Sequence, residues 1–110
     1  MDTPTEGLEK IISVSRSETA DGSVVKVAGE IDVHSVAMLD RAVRACFDDG
    51  HHRVVIDAAG VTFIDSSGLR CLVGLRRDAK EAGGEVVVRN PSPPVLRLLE
   101  LTGLLELVAP

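Results

Sequence analysis

The chain has 110 residues, 45% of them hydrophobic, a net charge of -5 and neither Trp nor Tyr. That length and apolar content suit one small globular domain with a real core and leave room for little else. The acidic balance and the lack of stacking aromatics argue against nucleic acid, and no apolar run approaches the roughly 20 residues of a membrane span. Residues 1–7 are polar and Pro-containing and lack the basic and apolar regions of a signal peptide. They read as a flexible N-terminus ahead of a domain over residues 8–110, so a soluble cytoplasmic protein is expected, with another protein as its partner.

The first strand is expected over residues 10–16, where Ile12 and Val14 alternate with Ser13 and Ser15 as on a sheet with one wet face. Ala20-Asp21-Gly22-Ser23 carries an Asp-Gly turn signal, and residues 24–28 follow as the second strand of a hairpin, which Gly29 ends. Residues 30–35 form a loop into a helix. There Val36, Leu39, Val43, Cys46 and Phe47 make one apolar stripe, Asp40, Arg41, Arg44 and Asp48 face water, and Gly50 takes the C′ position. Val54, Val55 and Ile56 form a continuous apolar run, the mark of a strand buried on both faces. The chain is then expected to turn through Ala58, Ala59 and Gly60 into a second apolar patch, Val61, Phe63 and Ile64. Asp65-Ser66-Ser67-Gly68 opens a second helix, with Leu69, Leu72, Val73, Ala79 and Ala82 at helical spacing and Arg76, Arg77, Lys80 and Glu81 between them. Gly83-Gly84 ends it, and Val86, Val87 and Val88 form another short buried strand. After the turn at Asn90-Pro91, Ser92 is expected to cap a third helix with Pro93 and Pro94 in its first turn and Val95, Leu98, Leu99 and Leu101 as its apolar positions. Residues 104–108 read as a weak last strand.

This β-β-α-β-α-β-α-β order calls for an α/β fold: a mixed four- to five-stranded sheet whose later strands are parallel, packed by about three helices. Parallel strands around Val27, Ile56 and Val88 would put the loops at their carboxyl ends on one rim, where Asp32, Ser66 and Ser92 would share a surface. Asp65 and Ser66 are both good N-cap types at a helix end whose first N–H groups lack internal partners, so a serine hydroxyl is displayed at a polar, mildly electropositive site. Taken alone, such a serine is most often only a cap. Cys46 and Cys71 sit inside helices without C-x-x-C spacing and read as buried reduced thiols. His34, His51 and His52 have no spacing that converges them on a metal, so neither metal nor cofactor is expected.

Residues 63–69, F-I-D-S-S-G-L after a buried strand, resemble the phosphorylation segment of the anti-sigma factor antagonists, the bacterial STAS domains. Gly29-Glu30-Ile31-Asp32 is similar to that family's G-E-I/L-D segment, and residues 95–105, VLRLLELTGLL, to its C-terminal helix-Thr-Gly-Leu ending. Three motifs in the right order cover about the whole domain. The resemblance implies phosphorylation at Ser66, the residue after the Asp, with Ser67 usually unmodified. It also implies that Asp65 caps the helix and helps present Ser66, and that Asp32 is the loop aspartate beside it. The mechanism it implies is partner switching. The unmodified domain binds an anti-sigma factor that is also a serine/threonine kinase of the histidine-kinase-like ATPase fold, and so frees a sigma factor. Phosphorylation of Ser66 separates the complex, and a phosphoserine phosphatase restores it. The implied partner surface is Asp32, Asp65, Ser66, Ser67, Gly68 and Arg70. Arg70 departs from members that have Gly there; four residues after Ser66, it reads either as a solvated arginine or as a contact to phosphate or partner. Two other readings stay open. One is a STAS module of a lipid-transport or scaffold complex whose serine is never phosphorylated. The other is an enzyme with Ser66 as nucleophile and Asp57 or Asp65 as helper, against which stand the missing G-x-S-x-G elbow, histidine base and glycine-rich phosphate loop.

Overall fold

The segments whose apolar residues alternate or run continuously are the ones that pair into the sheet. A computed structural model describes residues 11–20 and 22–109. The expected flexible segment 1–7, the strand start at Lys10 and Asp21 of the turn lie outside the described residues. In chain order come β1 (Ile12–Thr19), β2 (Gly22–Ile31), α1 (Val36–Asp48), β3 (Arg53–Ile64), α2 (Ser66–Glu81), β4 (Glu85–Arg89), α3 (Pro93–Leu101) and a 3-10 turn, Leu105–Leu107. The strand order is β1-β2-β3-β4, with β1 and β2 antiparallel and the later pairs parallel. The mixed sheet with parallel later strands is therefore present, and three α-helices accompany it among the described residues.

Burial follows the patterning. On β1, Ile12 is buried and Val14 packs on the core, while Ser13 and Ser15 face water. On β3, Val54, Val55 and Ile56 are all buried although neighbours point to opposite faces, so the strand is covered on both sides. Leu39, Val43 and Cys46 of α1 and Val95 and Leu99 of α3 complete the same core. Each helix ends in paired backbone bonds that satisfy its last carbonyls: after α1, His51 N–H donates to Cys46 O at 3.0 Å and Gly50 N–H to Phe47 O at 2.9 Å. Among the described residues no helix is long and apolar enough to cross a membrane.

Several local expectations are corrected. Gly29 does not end β2, which runs on to Ile31. At φ +98° it instead occupies a kink next to a register shift, where a side chain would strike the Ile11 carbonyl. The turn expected at residues 58–60 is absent, and β3 is one 12-residue strand. Its pairing skips between Lys26/Ala28 and Gly29/Glu30 of β2, so the small residues Ala58, Ala59 and Gly60 are absorbed as a bulge. On α2 the buried face is Gly68, Leu72, Leu75 and Ala79, whereas Val73 and Ala82 are exposed. Leu101 of α3 is 77% exposed. Residues 104–108 do not form a fifth strand. Leu104 N–H is taken by Leu99 O at the end of α3, a 3-10 turn follows, and the chain then meets β4 in one parallel bridge between Val108 and Val88, with Ala109 N–H donating to Val88 O at 2.7 Å.

Candidate functional site

Two strands end level with each other. Ile31 of β2 pairs with Ile64 of β3, and Asp65 N–H donates to Ile31 O at 3.2 Å, so the loop after β2 and the start of α2 leave the sheet side by side. Gly68 fixes how closely α2 then approaches. A Cβ at that position would lie 2.7 Å from Ile64 Cγ1 and 2.8 Å from Ile31 Cγ2, so a larger residue would push the helix start off both strand ends.

Asp65 is the N-cap of α2. Its backbone is extended (φ -112°, ψ -169°), and its Oδ1 accepts from Ser67 N–H at 2.8 Å and Gly68 N–H at 3.3 Å. Ser66 is therefore the first helical residue and not the cap. It is exposed, and its hydroxyl has no hydrogen-bond partner among the described residues. Beside it, Asp32 Oδ1 accepts from the N–H groups of His34 and Ser35, both at 2.9 Å. Buried Ser35 locks this turn, its hydroxyl donating to Glu30 O at 2.6 Å and accepting from Asp32 N–H at 3.0 Å. The Ser35 N–H holds the Asp32 carboxyl below its usual range, outweighing the opposing effect of burial, and the His34 N–H adds to it. Both rim carboxylates are thus engaged by backbone donors.

The third expected member of the rim is elsewhere. β4 ends at Arg89, opposite Asp57, while β3 continues to Ile64. Ser92 N–H bonds Ala58 O at 3.3 Å, which leaves Ser92 roughly 20 Å along the strand from the Ser66 end. Ser92 is also buried and caps α3 only by position, because Pro93 and Pro94 at N1 and N2 offer its hydroxyl no N–H in the first two places.

On its other side, α2 faces α1 across a groove of about 460 Å³. Val33, Val36 and Ala37 form one wall, and Ser67, Arg70 and Cys71 the other. Arg44 bonds Asp40 at 3.1 Å and Asp78 at 3.0 Å and so ties α1 to α2 along the groove. Burial, followed by the Asp40 charge, pushes the Cys71 thiol up to about 12, so it stays protonated and is a poor nucleophile. Arg70 is exposed and has no carboxylate within ion-pair distance among the described residues.

Asp32, Asp65, Ser66, Ser67 and Arg70 therefore gather at this end of the sheet, with Ser67 and Arg70 lining the groove, whereas Gly68, expected on the same surface, is buried against Ile31 and Ile64. Two exposed apolar side chains near this site were missed in the sequence: Val33, in the Asp32 loop and on the groove wall, is 66% exposed, and Phe63, one residue before Ile64, is 47% exposed. Phe63 was legible only as part of an apolar patch, and Val33 fits no periodicity at all. No imidazole bonds Ser66 among the described residues: His34 is held only through its backbone N–H, and His51 pairs with Glu18 at 3.1 Å. Asp57 sits beside Arg89, at 3.9 Å, and its Oδ1 accepts from Ala59 N–H.

A family model, the STAS domain, matches residues 12–110. The chain belongs to the STAS domain family. The anti-sigma F factor antagonist of Paenibacillus polymyxa is 33% identical over 90 residues, which cover 77% of this STAS domain chain and 74% of that protein. A crystal structure of an anti-sigma factor antagonist from Mycobacterium paratuberculosis superposes with a TM-score of 0.79 at 29% identity, over 98% of this chain and 87% of that one. SpoIIAA, a Bacillus cell-fate determinant, has been solved unphosphorylated and phosphorylated, and the two forms superpose with TM-scores of 0.75 and 0.71. Each is 22% identical and covers 88% of this chain, over 86% and 89% of SpoIIAA, a likeness of fold. The F-I-D-S-S-G-L, G-E-I-D and VLRLLELTGLL segments that suggested the family all fall within the matched residues.

Proposed function

We propose that this STAS domain is an anti-sigma factor antagonist working by partner switching, with residues 8–110 acting as the domain. In its unmodified form it binds an anti-sigma factor serine/threonine kinase of the histidine-kinase-like ATPase fold and frees a sigma factor. Phosphorylation at Ser66 releases the partner, and a phosphoserine phosphatase resets the cycle. One observation carries the reading: Asp65 spends its carboxylate on Ser67 and Gly68, leaving the adjacent Ser66 hydroxyl exposed and unbonded on a rigid helix start. Such a hydroxyl suits in-line transfer. Ser66 Oγ attacks the γ-phosphorus of ATP held by the kinase, its proton passes to a base of the kinase, and ADP leaves. Catalysis comes wholly from the partner. The name of the Paenibacillus polymyxa relative and the two forms of SpoIIAA support the same reading. On it, the partner's footprint covers Asp32, Asp65, Ser66, Ser67, Gly68 and Arg70, with Val33 and Phe63 as apolar anchors.

The test is phosphorylation by the cognate anti-sigma kinase, with the modified residue located by peptide mass spectrometry. Label is expected on Ser66 in the natural chain and in Ser67→Ala, with none in Ser66→Ala and none with ATP alone. Labelling of Ser66→Ala at the natural rate would overturn the assignment, and an unmodified chain that forms no complex with the kinase would overturn partner switching.

A further inference from the structure

We infer that Arg70 is the built-in counter-ion of a phosphoryl group on Ser66, an inference that rests on the function just proposed. Arg70 lies one helical turn after Ser66, and side chains on a helix lean back over the preceding turn, so its guanidinium is carried toward positions 66 and 67. Its place on the same groove wall as Ser67 agrees with that direction. The charges around Ser66 leave it little competition. The carboxylates of Asp65, in the cap, and Asp32, in the loop after β2, already accept from backbone N–H groups, and His34 beside Asp32 is exposed. Across the groove Asp40 and Arg44 of α1 pair with each other, and on α2 itself Arg76 is held by Glu106 at 2.9 Å. Arg70 is the nearby guanidinium with no carboxylate partner among the described residues.

A cation beside a phosphate dianion relieves its repulsion from the two nearby carboxylates, and a guanidinium fork can engage two of its oxygens at once. Engagement would also lift Arg70 from the groove wall opposite Val33, Val36 and Ala37. The modification would then alter the groove as well as the rim, without any change in backbone.

The test needs neither kinase nor partner. Phosphoserine is installed at position 66 during translation, and the phosphate is titrated with pH by phosphorus NMR in the natural background, in Arg70→Lys and in Arg70→Gln. The phosphate midpoint is expected about half a pH unit lower in the natural background than in Arg70→Gln, with Arg70→Lys between them. The Arg70 Nε–H resonance is expected to shift with the same midpoint. Circular dichroism confirms that the exposed substitutions leave the fold unchanged. Equal midpoints in all three proteins, or an Arg70 resonance that ignores the titration, overturn the inference. Either result stands whether or not a kinase labels Ser66, so it is separable from failure of the partner-switching reading.

Discussion

Replacing Asp65 and replacing Ser66 should have very unequal consequences for stability, although both residues are good helix caps by type. In Asp65→Ala the two N–H groups of Ser67 and Gly68, bonded at 2.8 and 3.3 Å, lose their acceptor, and a negative charge leaves the positive end of α2. Loss of an N-cap costs about 0.5–2 kcal/mol, and here two donors are affected, so about 1–2 kcal/mol is expected. In a domain of this size each kcal/mol moves the melting temperature by about 4–8 °C, so Asp65→Ala should melt roughly 5–15 °C lower. Asp65→Asn keeps an acceptor oxygen and loses the charge, and should fall between. Ser66→Ala removes a hydroxyl with no hydrogen-bond partner and places a better helix former at the first helical position, so its melting temperature should stay within about 3 °C. Calorimetric melting of the four proteins at pH 7 measures all of this. Equal losses in Asp65→Ala and Ser66→Ala would mean that the serine hydroxyl is the working cap, and the displayed hydroxyl on which the functional proposal rests would be gone.

Gly68→Ala forces a methyl group against Ile64 and Ile31, and overpacking of about 1–3 kcal/mol should lower the melting temperature by roughly 5–15 °C with helix content kept; an unchanged melt would mean that both isoleucines step aside. Asp32→Ala should slow phosphorylation by the cognate kinase or weaken its binding several-fold with little thermal cost, and unchanged rate and affinity would return Asp32 to a simple turn residue. Acid should destabilise the fold, because the carboxyls of Asp32 (by the Ser35 N–H), Asp78 (by Arg44), Glu18 (by the Ser23 hydroxyl) and Glu106 (by Arg76) are all held below their usual values. The unfolded chain then binds more protons in the window between the two sets of values, so their stabilisation is complete above the unfolded range near pH 4 and is lost as pH falls through the folded values. Melting temperature should drop steadily below about pH 4.5, and a rise on acidification would contradict these pairings.

What was legible in the chain depended on how local its cause is. The strand core Val54-Val55-Ile56, Val86 and Val88 of β4 and the α1 stripe Leu39, Val43 and Cys46 could be read because period and burial are written in neighbouring residues, whereas Val87 is only half-buried. The Asp65 cap was equally local. Ser92 failed for a non-local reason: the rim argument assumed strands of equal reach, but β4 has five residues and β3 twelve, so their carboxyl ends lie at different heights. At Ala58-Ala59-Gly60 small residues and a glycine signal a turn and a bulge alike, and only pairing to β2 and the Ser92 contact to Ala58 keep the strand extended. Leu75, buried on α2 where Val73 is not, shows the same limit. Both are apolar, and which one faces the sheet is set by the contact of Gly68 with Ile31 and Ile64 at the start of the helix.

That contact also bears on how a phosphate at Ser66 would act. The first turn of α2 is held by Gly68 against two strand ends and by the Asp65 cap, and its later turns by Leu72, Leu75 and Ala79. An anion added at the exposed N-terminus gains about 0.3–1 kcal/mol from the helix dipole, and repulsion from the solvated Asp65 and Asp32 is of similar size once water and salt screen it. Neither effect competes with the burial that anchors the helix, so melting α2 is the harder route. At an interface the balance reverses. A dianion left poorly paired against groups that met a neutral hydroxyl costs several kcal/mol, and about 2.7 kcal/mol already corresponds to a hundredfold loss of affinity. If Arg70 turns toward the phosphate, it relieves the repulsion within the free domain but does nothing for the partner, which would then face both a new charge and a groove wall from which Arg70 has moved. The same pairing that makes the modified domain stable alone thus deepens its loss of affinity, and a switch built this way changes partners without spending the stability of its fold.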